Sequence, residues 1–396
     1  MRYNTDMNKK FTACATAIVC AVACIPFSAC AEKQEDKTLG RQLYAMGTYA
    51  RLTATSSEIS EKDFETLADS VSDFLYETEN SVSTVVETSC IYKFNAAAAG
   101  QTVELDKTAY ELLTLSKTLY EKTEGNYNPA VWYCEDLYGF AQRTQADKGM
   151  PYDRADKALP EEKYVTAFCQ LASHFNEVRI YEKDGGYYAD KPAFTVKVEG
   201  DDREYSLKLD LGGITKGWCA DRVDAMYGAA GITNGYFNFG ESSMALKRYA
   251  GNLTKSYQLE LTDPRNIGVS YGYLFAKDVK LSTSGDHLKY YVLDDVRYCH
   301  IIDPKTGSPI RTGISSAMVV GGSAAEADAL TTALSAMGVQ KAAEFINAEL
   351  SDRKVVMLVF EGEEGKIITN CPDELTIRNS AYPIANTVVD GKIVLN

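Results

Sequence analysis

Apolar residues recur at helical spacing in several stretches of the chain. Phe64, Leu67, Ala68, Val71, Phe74 and Leu75 share one face of a segment from about Lys62 to Glu79. Tyr110, Leu113, Ser116, Leu119 and Tyr120 do the same from about Lys107 to Lys122, and Gly125-Asn126 supplies a stop. A third helix is expected to begin near Thr215 and to turn Trp218, Val223, Met226 and Tyr227 inward. A last pair is expected over Ala324–Met337 and Lys341–Glu349, divided at Gly338. Strand patterns concentrate after residue 176: Val178–Glu182, Phe194–Val198, Tyr205–Leu211, Tyr257–Leu261, Ala317–Val320 and Val355–Phe360. Helices early and late with strands between them predict an α+β fold, not a regular βαβ winding. The polar stretch from Asp147 to Lys163, with two prolines, reads as an excursion and not as a domain boundary.

The N-terminus breaks these patterns. Lys9-Lys10 precedes an uncharged run from Phe11 to Ala29, rich in Ala, Val and Cys, which ends in Phe27-Ser28-Ala29-Cys30. That order predicts an export segment and resembles a bacterial lipoprotein signal, which implies lipidation at Cys30. A plain signal peptide or an uncleaved anchor is the other reading, and either puts the folded part outside the cytoplasmic membrane. The expected organisation is a signal peptide over 1–29, a tether over 30–42 and a folded domain over 43–396. The expected location is the cell membrane, lipid-anchored, on the extracytoplasmic side.

Composition narrows the chemistry. With 396 residues, 45% of them hydrophobic and 24% charged, the chain is neither disordered nor a multi-span membrane protein. Lys plus Arg is 41 against 55 for Asp plus Glu, a net charge of -14 that argues against nucleic acid as a partner. A phosphate-bearing ligand would need a local device: a metal ion, a helix N-terminus or a few placed cations. Four cysteines fall in the export segment; Cys90, Cys134, Cys169, Cys219, Cys299 and Cys371 are scattered without a C-x-x-C pair. They read mainly as buried free thiols, with one disulfide left open.

Four segments are candidates for chemistry. In Leu209-Asp210-Leu211-Gly212-Gly213-Ile214-Thr215-Lys216-Gly217, a strand is expected to end at a carboxylate and to pass two glycines into a helix. Glycines admit a ligand to the backbone and the helix start supplies amide donors; a tight strand-to-helix turn is the plainer alternative. His300-Ile301-Ile302-Asp303-Pro304-Lys305-Thr306-Gly307 sets one of three histidines at a strand end, as a general base or as a structural residue. His287 follows the polar turn Ser282 to Asp286, which can face a ligand, and His174 reads as a surface residue. Asp328 and Thr332 are four apart on a helix and share a face. Carboxylate plus hydroxyl makes a partial site for a hard cation, completed by a carbonyl, waters or phosphates. Capping of that helix by Asp328 is the alternative. Met46-Gly47-Thr48, just before an expected strand, says little alone.

The order and content of these segments resemble the ApbE family of FAD:protein FMN transferases. The match runs from about residue 43 to 395 and includes Met46 to Thr48, Ser83 to Asn95, Gly125 to Pro129 and Asp210 to Gly217. It continues through Asn238 to Glu241, Thr283 to Gly285, His300 to Gly307 and Ala327 to Leu334. The resemblance implies a two-lobed, T-fold-like α+β domain with a mixed or antiparallel sheet and packed helices. It implies transfer of FMN from FAD to a Ser or Thr hydroxyl of an extracytoplasmic flavoprotein, with release of AMP. Asp328, Thr332 and the Gly213 carbonyl would hold Mg²⁺. Met46, Asn126, Tyr127, Asn128, Asp210, Lys216 and Ile302 would line the FAD pocket, and His300 would take the acceptor proton. Three positions depart from the family pattern: Asn128 stands where aspartate is common, Glu241 replaces a glycine, and Val85 falls where many members carry an aromatic ring. FAD hydrolysis to FMN and AMP, or flavin or solute binding without turnover, are the competing functions.

Overall fold

Eight antiparallel strands, hydrogen-bonded in the order in which they occur along the chain, form the central sheet. They are β1 (Thr38–Ala45), β2 (Thr48–Thr55), β3 (Gly235–Phe239), β4 (Ser243–Leu246), β5 (Val279–Gly285), β6 (Ile314–Val320), β7 (Lys354–Glu361) and β8 (Glu364–Thr369). This computed structural model describes residues 37–141, 158–248, 256–287 and 289–395. The expected export segment, Cys30 and most of the expected tether lie outside the described residues, as do residues 142–157, which include the first part of the polar excursion. Among the described residues no helix is long and apolar enough to cross a membrane.

β6 shows how the layers form. Every one of its residues is buried, so it reads as a continuous apolar run and not as an alternation. Ala317 and Val319 pack with Leu330 and Leu334 on one face. Met318 and Val320 pack with Leu259 and Leu274, from the hairpin of Tyr257–Thr262 and Ser270–Ala276, on the other. The helical layer comes from two insertions into the meander. Between β2 and β3 lie α1 (Glu61–Val82), α2 (Cys90–Ala96), α3 (Lys107–Lys122), α4 (Trp132–Leu137), α5 (Glu162–Ser173) and α6 (Gly212–Ala229). Between β6 and β7 lie α7 (Ala324–Met337) and α8 (Val339–Glu349). α7 is apolar nearly all round because it is enclosed by the sheet and by α6. Contact between α6 and α7 is so close that a Cβ on Gly217 would lie 2.1 Å from the Ala324 carbonyl oxygen.

The helical periodicities place α1, α3 and α7 correctly, while α6 begins at Gly212 and α8 at Val339, ahead of the expected starts. Three expectations are corrected. β1 begins at Thr38, so the ordered body starts before residue 43. The sheet also draws on strands well ahead of residue 176: β2 is the strand expected after Met46-Gly47-Thr48, whereas β1 is not among those expected. The strand expected over Tyr205–Leu211 stops at Ser206, and 207–211 is irregular. The alternation of Leu207, Leu209 and Leu211 is real burial, but the backbone there is held by side chains and not by a sheet neighbour. All six described cysteines are free thiols.

Candidate active site

Segments from widely separated parts of the chain converge on a cleft of about 1500 Å³. That volume exceeds the usual range of pockets for drug-sized ligands, roughly 300–1,000 Å³. Its rim begins at the β1–β2 turn, where Met46 (φ 49°) and Gly47 (φ 74°) both adopt the left-handed conformation of a tight hairpin turn. Met46 N donates to Glu79 Oε2 at 3.0 Å, which docks the turn on α1.

The end of α3 is organised by Thr123. Its hydroxyl accepts from Tyr127 N at 3.0 Å and its carbonyl accepts from Asn126 Nδ2 at 2.6 Å. Tyr127 OH shares a hydrogen bond with Ser116 Oγ at 3.1 Å. Asn128 spends both ends of its amide on backbone: Nδ2 donates to Ala172 O at 2.9 Å, and Oδ1 accepts from Ala130 N at 2.9 Å. A carboxylate cannot donate, which accounts for asparagine at this position.

The stretch from Ser83 to Asn95 acts as a bracket. Ser83 Oγ accepts from Val85 N and Val86 N, both at 3.2 Å, and Ser89 caps α2. Asn95 then grips Leu209 twice, donating to its carbonyl at 2.9 Å and accepting from its amide at 2.7 Å. Asp210 N donates to Pro129 O at 2.7 Å. Buried Lys191 donates to the Phe94, Asn95 and Ala97 carbonyls at 3.1, 3.3 and 2.8 Å, closing the C-terminus of α2 behind that grip.

So held, Asp210 faces the cleft and accepts from Gly212 N at 2.6 Å at the start of α6. Burial pushes its carboxyl above the usual range, against the opposing pull of Gly212, Lys289 and Lys216. Lys216 Nζ donates to Gly212 O at 3.1 Å, which keeps its ammonium over the first turn of α6.

Asp328 is 2% exposed and tied on both oxygens, accepting from Ser282 Oγ at 2.9 Å and from Gly217 N at 3.0 Å. In an unbroken helix that amide would belong to the Gly213 carbonyl, so the carboxylate competes with this carbonyl for its donor. A Cβ on Gly213 would lie 3.6 Å from Thr332 Oγ1, and that hydroxyl donates to Asp328 O at 3.4 Å. Asp328, Thr332 and Gly213 are therefore neighbours. Helix capping does not explain Asp328, because Ser323 caps α7 through Glu326 N. Among the described residues Asp328 has no ion-pair partner, and no cluster of three or more His, Cys, Asp or Glu would hold a metal by itself. The donor set is thus a buried carboxylate lacking a protein cation, a hydroxyl and a carbonyl, which fits a hard cation completed by other oxygens.

His300 follows the strand Val296–Cys299, which pairs with Tyr290–Leu293. Burial, then Lys289 and Lys216, push its imidazole down to about 3, and Nδ1 has no hydrogen-bond partner. It is neutral at physiological pH. Ile302 is buried beside it, and the Asp303 turn is closed by Lys305 N donating to Oδ1 at 2.9 Å. Gly307 (φ 70°) seats that turn against Val165 and Cys169 of α5. His287 also lines the cleft, whereas His174 is remote, paired with Glu177 at 2.8 Å and stacked on Phe194.

Every residue singled out for metal, flavin or proton chemistry lines this one cleft. Sequence reasoning missed other charged residues there, Glu135 and Lys289 among them. Glu135 comes from α4, and burial together with Asp210 pushes its carboxyl well up. Lys289 comes from the hairpin and keeps contact with solvent; the cleft walls and then Lys216 push its ammonium down, against the pull of Asp210 and Glu135. Neither carried a motif; for Lys289 its place opposite His300 in a short hairpin was the one available signal. Glu241, where the family pattern has glycine, takes φ 55° and donates its amide to Asn238 Oδ1 at 3.1 Å.

The sequence profile described as the ApbE family matches residues 46–357. The chain belongs to the ApbE family. Among curated ApbE relatives, a Treponema pallidum protein named FAD:protein FMN transferase is 26% identical over 332 residues, 82% of this chain and 84% of that protein. One of the same name from Escherichia coli K12 is 23% identical over 357 residues, 89% and 94% of the two chains. The solved flavin transferase ApbE from Vibrio cholerae superposes with a TM-score of 0.67 at 23% identity, covering 84% of this chain and 97% of its own. An ApbE protein from Thermotoga maritima gives 0.66 at 24% identity. The α+β architecture is thus the ApbE fold.

Proposed function

We propose that this protein transfers FMN from FAD to a Ser or Thr hydroxyl of another protein and releases AMP. The observation that carries the reading is the cluster at one end of the cleft. There a buried carboxylate without a protein cation, Asp328, stands with Thr332 and Gly213, in the same cleft as Lys216 and the neutral imidazole of His300. A dinucleotide needs a cleft of this size, and its diphosphate needs local positive charge that a chain of net charge -14 does not otherwise offer.

Asp328, Thr332 and the Gly213 carbonyl would hold Mg²⁺, which when bound offsets charge on the diphosphate as a Lewis acid. Lys216, held over the first turn of α6, orients the phosphates. His300, unprotonated, accepts the proton of the incoming hydroxyl. The acceptor oxygen then bonds to the FMN phosphorus, the bond from that phosphorus to the bridging oxygen breaks, and AMP leaves with the bridging oxygen. The base is weak in the empty cleft because burial, and after it Lys289 and Lys216, oppose its protonation; a bound diphosphate counters the lysines' field and strengthens the base.

The acceptor would be an extracytoplasmic flavoprotein, and the enzyme would be held at the membrane through a lipid on Cys30. The charged start, apolar run and terminal cysteine support this placement. The test mixes the chain lacking residues 1–30 with FAD, Mg²⁺ and a candidate acceptor domain and weighs the acceptor intact. A covalent FMN adduct that disappears with chelator supports transfer. FMN and AMP formed with no adduct to any acceptor would shift the reading to hydrolysis, and FAD bound without turnover would reduce it to binding. Loss of membrane retention in Cys30→Ala is the expected sign of lipidation.

A further inference from the structure

The mechanism above leaves one cleft cation without a direct task. Lys289 stands across the hairpin from His300: His300 N donates to Lys289 O at 3.0 Å, and the next pair is Tyr290 with Cys299. Opposed residues of antiparallel strands project to the same face, with Cβ atoms about 4.5–5.5 Å apart. Both line the cleft, together with Lys216, Asp210 and Glu135. Among the described residues the Lys289 ammonium has no hydrogen bond and no ion pair. Lys289 is solvent-exposed, so a ligand entering the cleft reaches its ammonium directly. In a chain of net charge -14, a second ammonium turned into the cleft of Lys216 marks that place for an anion.

We propose that Lys289 is a substrate-contacting residue that binds the diphosphate of FAD on the His300 side of the cleft. The inference rests on the FAD reading and adds a residue and a consequence to it. In the empty cleft the same ammonium opposes protonation of His300; paired with diphosphate, it opposes it less. Through Lys289, as through Lys216, occupancy of the diphosphate site and the basicity of the catalytic imidazole are therefore linked.

The test titrates FAD into the full chain in the presence of chelator, so that no divalent ion contributes. Lys289→Met should weaken FAD binding by about 10- to 100-fold, the loss of one charge-assisted hydrogen bond. Lys289→Arg should stay close to wild type, and both variants should melt with wild type. In transfer assays the acid limb of kcat/KM should move to higher pH in Lys289→Met and stay put in Lys289→Arg. Wild-type FAD affinity in Lys289→Met, or equal losses in the Met and Arg variants, would overturn the proposal. A wild-type chain that binds FAD but modifies no acceptor would sink the transfer reading while the titration still decides on Lys289. A wild-type chain that binds no FAD would sink both.

Discussion

Asp328 is held from two sides by Ser282 and Gly217 before any ligand arrives, so its oxygens are pre-aimed and not recruited. Replacing it affects chemistry and structure separately. Asp328→Ala should abolish metal-dependent transfer, read by acceptor mass. It should also destabilise the fold by about 1–3 kcal/mol, because a buried amide and hydroxyl lose their acceptor. Full transfer activity in that variant would remove the proposed cation site. Glu241 illustrates the opposite case, a residue at odds with its backbone. At φ 55° a non-glycine side chain is strained by roughly 1–2 kcal/mol, partly offset by glycine's greater freedom when unfolded. Glu241→Gly should therefore stabilise the protein by up to about 1 kcal/mol in a urea titration.

At the scale of elements, the site depends on pieces that never touch a ligand. Lys191 closes the end of α2, α2 carries Asn95, and Asn95 holds Leu209 so that Asp210 enters the cleft. Asn95→Ala should cost about 1–3 kcal/mol, since both backbone groups of Leu209 lose their partners in a buried place. It should also weaken FAD binding, because Asp210 and the start of α6 lose their anchor. Unchanged FAD affinity in a measurably destabilised variant would show the bracket to be structural only. The same bracket explains why 207–211 reads as a strand. Its buried leucines alternate with the partly exposed Lys208 and Asp210, yet the hydrogen-bonding partner is a side chain more than a hundred residues earlier. No local pattern reports such a partner.

Over the whole molecule, the cleft gathers charge that the surface elsewhere does not explain, and this gives acid sensitivity a definite sign. His300 titrates at about 3 when folded against an ordinary 6.5. Between those values the unfolded chain holds a proton that the folded one does not, so this residue makes stability fall as pH drops through that window. Asp210 and Glu135, both raised, act in the opposite sense and are present in wild type and variant alike. His300→Gln should therefore lose less stability than wild type between pH 7 and pH 5, measured by urea unfolding at each pH. Equal losses would mean that His300 is already free to protonate in the folded state.

The periodic helices α1, α3 and α7 were legible because their apolar faces are written in consecutive turns, and the site motifs because each keeps its chemistry within a few residues. Asp328 with Thr332, the Asp210-to-Lys216 turn and the His300 segment all belong to that class. The sequence by itself thus determined the strongly periodic helices, the candidate groups that lie in motifs, and the family. Only the tertiary structure decided that these groups share one cleft, since they arrive from a helical insertion, a hairpin and α7 far apart in the chain. It alone decided that Ser282 and Gly217 aim Asp328, that Asn95 stands in for a strand, and that Glu135 and Lys289 join the site. The physical reason is the same each time: a hydrogen bond or a charge acts across space, and neighbours in space need not be neighbours in sequence.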